Sequence, residues 1–118
     1  MKKFLFAIAA IALVPLCASG HAFMVSAVPL VGSTIQTAPR EVSITYTQEV
    51  EPSFSKIDVQ DAQGNVVDAG DTHSSPADAH ILTVSLKPLP PGEYEVTWHV
   101  TSVDTHKTQG SFSFTVAP

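Results

Sequence analysis

Over residues 93–101 the chain alternates without a break. Tyr94, Val96, Trp98 and Val100 fall on one parity, and Glu93, Glu95, Thr97, His99 and Thr101 on the other. A helix would scatter the apolar members around its surface, whereas an extended strand sends successive side chains to opposite faces. The segment therefore reads as a strand with one face against a core. The same period recurs in Val42-Ile44-Tyr46, Ile57-Val59, Leu82-Val84-Leu86 and Phe112-Phe114-Val116, each bounded by turn formers such as Gly64-Asn65 or Pro90-Pro91-Gly92. No stretch beyond Gly20 carries a helical period. Short alternating strands at this spacing predict an all-β domain, a sandwich or a barrel. Residues 68–78, rich in Ala, Ser, Gly and Asp, read as a surface loop.

The N-terminus has a different character. Lys2 and Lys3 precede an apolar run over residues 4–16, and Ala18-Ser19-Gly20 follows it. That is the layout of a secretory signal peptide, with small residues where signal peptidase requires them. The run is shorter than the roughly 20 apolar residues that span a bilayer, so no membrane insertion is expected after cleavage. Cys17 invites a reading as a lipid anchor, but the bulky Leu16 stands where a lipobox takes a small residue. Residues 1–20 are thus expected to be a cleaved signal peptide, leaving His21 first in an exported domain of residues 21–118. That length suits one core and one domain.

Residues 21–118 carry four basic side chains, Arg40, Lys56, Lys87 and Lys107, against all eleven acidic ones, a net charge near −7 with histidines neutral. Nucleic acid is excluded as a partner, because phosphate binding needs clustered Lys and Arg. Cys17 is the one cysteine. Once it is removed, disulfides, thiolate zinc sites and a blue-copper centre are all excluded.

Five histidines remain as metal ligands: His21, His73, His80, His99 and His106. A single histidine is more often a surface or core side chain than a ligand. His99 lies on the outward parity of its strand, and His73 and His80 flank the loop and are expected to face solvent. His21 differs chemically, because an N-terminal histidine offers both its α-amine and its ring Nδ1 to one ion in a six-membered chelate. An α-amine titrates far below a lysine, so a metal displaces its proton near neutral pH at modest cost. A second imidazole and a carboxylate complete a tetragonal N,O set, the arrangement that suits Cu(II). Asp104-Thr105-His106 supplies both, with its two ligands on one side if the segment is extended. Asp71-Thr72-His73 repeats the same three residues. The copy at 104 is preferred because it follows directly from the long strand, where a packed element holds ligands in place.

From His21 to the C-terminus the chain resembles the CopC family of periplasmic copper-binding proteins. The resemblance is carried by the N-terminal His21, by Pro29 and Gly32-Ser33, by Pro-Gly-x-Tyr-x-Val-x-Trp at residues 91–98, and by Asp104-Thr105-His106 followed by Gly110-Ser111-Phe112. It implies a small seven-stranded Greek-key β-barrel or sandwich of cupredoxin-like or immunoglobulin-like shape. It also implies a periplasmic location and one Cu(II) per chain, bound by His21 with its amine, Asp104 and His106. An inner-membrane copper transporter of the CopD type is the partner it suggests, and import, buffering and delivery all remain open as the role. Some family members carry a methionine-rich Cu(I) loop. Here Met24 is the only methionine beyond the signal segment, and it falls in the first strand. Where the family places an acidic residue after an aromatic-Ser/Thr pair, this chain has Gln48, with Glu49 next to it and expected to face the other way.

Two other classes of function compete. A copper oxidase or monooxygenase also uses a histidine brace, but the short chain leaves little room for a substrate platform, and a close Asp favours holding Cu(II) over cycling it; no enzyme activity is expected. An immunoglobulin-like adhesion or assembly module would need the β pattern alone. Stoichiometric Cu(II) binding separates a copper protein from such a module.

Overall fold

The computed structural model describes residues 21–118, so the expected signal peptide lies outside the described residues. Within them the chain forms β1 (Met24–Val28), β2 (Thr34–Ile35), β3 (Glu41–Tyr46), β4 (Lys56–Asp61), β5 (His73–Ser75), β6 (Asp78–Ser85), β7 (Gly92–Thr101) and β8 (Lys107–Val116). The only helical turn among these residues is a short 3-10 turn over Pro52–Phe54. Two four-stranded sheets result, in the orders β1-β3-β6-β5 and β2-β8-β7-β4. Every pairing is antiparallel except β2 with β8. The chain crosses between sheets after β1, β2, β3, β4 and β6, which makes the molecule a sandwich.

The alternating positions form the core between the sheets. Val42, Ile44 and Tyr46 of β3, Ile57 and Val59 of β4, Leu82 and Val84 of β6, Tyr94, Val96, Trp98 and Val100 of β7, and Phe112, Phe114 and Val116 of β8 are all buried. Burial of these faces from water is the main stabilising term, and the period of two fixes each strand's register because a one-residue slip would turn the apolar set outward. The Tyr94 hydroxyl donates to the Pro90 carbonyl, and its ring stacks on Phe114. The Pro90-Pro91 turn is thereby tied to the strand that follows it.

Two expectations need correction. The strand number is eight among the described residues rather than seven, two of them, β2 and β5, being only two and three residues long. Residues 68–78 are not simply a surface loop. β5 lies within them, and Asp68 is buried with its carboxylate accepting the Val59 and Gly70 N–H groups.

The packing of Trp98 in the core depends on a missing side chain. Trp98 packs edge-to-face on Tyr46, with ring centroids 5.2 Å apart, and faces Gly110 across the β7–β8 pair. A Cβ at position 110 would stand 2.6 Å from the indole, and the indole, itself 5% exposed, has little room to retreat. Gly110→Ala is therefore expected to cost about 1–3 kcal/mol by overpacking. That corresponds to a fall in melting temperature of several degrees, on the order of 4–8 °C per kcal/mol for a domain of this size. Thermal unfolding of the variant checks this, and an unchanged or higher melting temperature would contradict it.

Candidate metal centre

One end of the sandwich gathers three segments: the start of the domain at residues 21–23, the segment after β3, and the turn between β7 and β8. The β7–β8 turn is built around Ser102, which is fully buried. Its backbone N–H donates to the His106 carbonyl, while the Thr105 N–H donates to the Ser102 carbonyl. Thr105 takes a φ of 74°, a left-handed conformation that a β-branched residue adopts only when its surroundings impose it. Asp-x-His is thus not extended, as expected from the sequence, but wound into a tight turn. The turn itself brings its two ligand candidates together, with His106 Nδ1 3.5 Å from Asp104 Oδ1.

Ser102 also sets the chemistry of the turn. Its hydroxyl lies 2.5 Å from Asp104 Oδ1 as donor and accepts the His106 N–H at 3.2 Å. The Ser102 hydroxyl, followed by His106, holds the Asp104 carboxyl below the usual aspartate range. Asp104 is therefore a carboxylate throughout the neutral and mildly acidic range, able to accept a hydrogen bond from an imidazole N–H or to meet a cation.

His21 reaches this turn from the other end of the sequence. Its ring lies edge-to-face on His106 with centroids 4.7 Å apart and an interplanar angle of 80°. The two rings are therefore near neighbours at this end of the sandwich. Phe23 also lies edge-to-face with the His21 ring, centroids 6.0 Å apart. His106 is the shared member of the group, approaching both the His21 ring and the Asp104 carboxylate. Among the described residues no three His, Cys, Asp or Glu side chains already converge on a metal-sized point. Closing the set around an ion requires a rotation of these exposed side chains, and His21, Asp104 and His106 are all exposed enough to turn.

The remaining candidates sit elsewhere. His99 is exposed on the outward face of β7. His80 is partly buried rather than fully in solvent, at the start of β6, with its Nδ1 on Asp78 Oδ1 at 2.9 Å. His73 lies in β5, its Nδ1 on the carbonyl of Asp71, and the Asp71 carboxylate accepts the Ser85 N–H. The second Asp-Thr-His is therefore a backbone-bonded edge of the sheet. Gln48 is half-buried and Glu49 exposed, but strand β3 ends at Tyr46, so alternation does not decide where either points. The Glu49 carbonyl accepts the Val103 N–H, which ties this segment to the β7–β8 turn.

Three residues at this end were not read from the sequence. Besides Ser102, the Thr47 hydroxyl donates to the His21 carbonyl and accepts the Phe23 N–H, and the Thr108 hydroxyl donates to the Ala22 carbonyl. A hydroxyl flanking the two ligand segments is a weak local signal. The partners of the two threonines lie 24 to 86 residues away in sequence, beyond the reach of any pattern, whereas Ser102 bonds within its own turn.

A family model described as the CopC domain matches residues 24–117. The chain belongs to the CopC family. The match begins after His21 and includes Asp104 and His106. This CopC-family chain is 31% identical over 97 residues to Protein YobA of Escherichia coli K12, covering 81% of the chain and 78% of that protein. It is also 31% identical over 106 residues to Copper resistance protein C of Xanthomonas campestris pv. juglandis, covering 84% and 82% respectively. Against Copper transport protein CutJ of Bacillus subtilis it is 33% identical over 86% of its own length, yet it spans only 19% of that much longer protein. Among solved structures, CopC from Methylosinus trichosporium OB3b superposes with a TM-score of 0.78 at 31% identity, covering 83% of this chain and 95% of that one. PcoC, a methionine-rich copper resistance protein from Escherichia coli, superposes at 0.72 and 27% identity, covering 81% and 98%.

Proposed function

We propose that the chain is an exported periplasmic Cu(II) carrier. On this reading residues 1–20 are removed, and the domain of residues 21–118 holds one Cu(II) through the α-amine and Nδ1 of His21, the imidazole of His106 and the carboxylate of Asp104. The observation that carries it is the approach of the His21 and His106 rings to 4.7 Å beside the Asp104 carboxylate. The copper resistance and copper transport names of the relatives support copper as the cargo. Three nitrogens and one carboxylate favour Cu(II) over Cu(I), which prefers soft sulfur ligands. Met24, in β1, is packed against the core, leaving no thioether for the site. A carboxylate on the ion stabilises the oxidised state and suits a carrier better than an oxidase. In CutJ a domain like this one occupies a fraction of a longer protein named for copper transport, which supports a membrane transporter of the CopD type as the partner here.

Acid is expected to release the ion. Asp104 is held below the ordinary aspartate range, so its protonation is not what releases the ion in mild acid; protons instead compete with the metal for the nitrogen ligands. The amine and imidazoles therefore govern release, and binding should weaken steeply as pH falls from about 7 to about 4. Calorimetric titration of the protein that begins at His21, with Cu(II) at both pH values, checks this. Equal affinity at the two would contradict nitrogen ligation.

A further inference from the structure

We propose that Thr47 and Thr108 are positioning residues for the copper site, clamping the backbone of residues 21–23 so that His21 is presented to His106. The inference rests on the reading above that His21 chelates the ion.

A terminal residue is normally the least ordered part of a domain, because it is tied on one side only. A chelate that depends on that residue needs it held. Here the three backbone positions that lead into β1 are each fixed by something outside the strand ladder. Ala22 is fully buried, its methyl group in the core, so the chain cannot lift away without exposing it. On one side, the Thr108 hydroxyl of β8 donates to the Ala22 carbonyl. On the other, the Thr47 hydroxyl donates to the His21 carbonyl at 3.2 Å and accepts the Phe23 N–H at 3.0 Å. One hydroxyl thus spans residues 21 and 23, using both its donor and an acceptor lone pair. Thr47 precedes the segment tied to the β7–β8 turn, and Thr108 stands two residues after His106. Each clamp therefore refers the N-terminal segment to the part of the fold that carries the partner ligands. The consequence is preorganisation of the backbone: with residues 21–23 already fixed, only the side chains lose freedom when the ion arrives.

The Thr47 bonds are exposed, and water can replace them when the hydroxyl is removed. Thr47→Val, which keeps the shape and loses the hydroxyl, is therefore expected to fold. It should bind Cu(II) about tenfold more weakly, equivalent to about 1.4 kcal/mol. Thr47→Ser, which restores the hydroxyl, should lie within about threefold of the parent, and Thr108→Val should behave like Thr47→Val. A purely structural role is separated by repeating the measurement on proteins with one residue added before His21, where the amine can no longer chelate. In that background Thr47→Val should have almost no further effect, because the coupling between the two changes is what a double-mutant cycle isolates. The Cu(II) resonance spectrum of Thr47→Val should show part of the population with fewer nitrogen ligands.

Val variants that bind as tightly as the parent, or that lose the same factor in both backgrounds, would overturn the clamp. If the parent itself keeps its affinity when a residue is added, the chelating role of His21 fails and the clamp fails with it. A parent that loses affinity beside silent threonine variants removes the clamp alone. Thr47, being exposed, carries the test even if Thr108→Val does not fold.

Discussion

A protein with one residue added before His21 is expected to bind Cu(II) at least about a hundredfold more weakly than the protein that starts at His21, a loss of about 2.8 kcal/mol or more. The addition converts the α-amine to an amide, whose nitrogen is a far poorer ligand near neutral pH, and the six-membered chelate with the imidazole cannot close. The structure makes this a clean perturbation. His21 is exposed, so an extra residue extends into solvent, while Ala22 stays buried and the bonds from Thr47 and Thr108 remain available. Folding should be unaffected, since additions at an exposed terminus are tolerated. The spectrum of the bound ion should move to fewer nitrogens. His21→Ala should be at least as damaging, because it removes the imidazole and leaves an amine with nothing to chelate with. Affinity measured by competition with a Cu(II) chelator reads both variants, and an extended protein that binds as tightly as the His21 form contradicts the brace.

His106→Ala should also cost at least about a hundredfold in Cu(II) affinity, whereas His73→Ala should stay within about twofold. His106 is the one side chain in contact with both other candidates, the His21 ring and the Asp104 carboxylate, so its loss separates them. His73 belongs to the same three-residue motif, but its neighbours are differently employed. The Asp71 carboxyl is held low chiefly by the Ser85 N–H it accepts, and the His73 ring bonds to the Asp71 carbonyl. That copy fastens the β5 edge and the start of its hairpin. Parallel titrations of the two variants decide between the motifs, and the reverse ranking would move the site to residues 71–73.

These two histidines also show how far the sequence was legible. Alternation identified the strands whose inner faces are apolar, because β3, β4, β6, β7 and β8 each bury apolar residues two apart, although in β6 Thr83 is buried between Leu82 and Val84 as well. It missed β5 because His73, Ser74 and Ser75 pair through backbone groups at a sheet edge, and nothing about their side chains reports that. The outward placement of His99 followed from parity alone. The β7–β8 turn did not, since Asp-x-His is compatible with an extended chain and the winding at Thr105 is imposed by the buried Ser102. The chemistry of an N-terminal histidine singled out His21 without any structure. Its meeting with His106, 85 positions later, came from resemblance to a family, and the threonines that hold the terminus are contacts of the fold that no local spacing encodes.

The most direct measurement is a Cu(II) titration of the protein beginning at His21, followed by electron paramagnetic resonance and read for nitrogen couplings. Binding should saturate at one ion per chain with a tetragonal signal from three nitrogens, one of which disappears in His106→Ala. Binding that fails to saturate at one ion, or a signal whose nitrogen count is the same in His106→Ala, would contradict a copper site built from His21, Asp104 and His106.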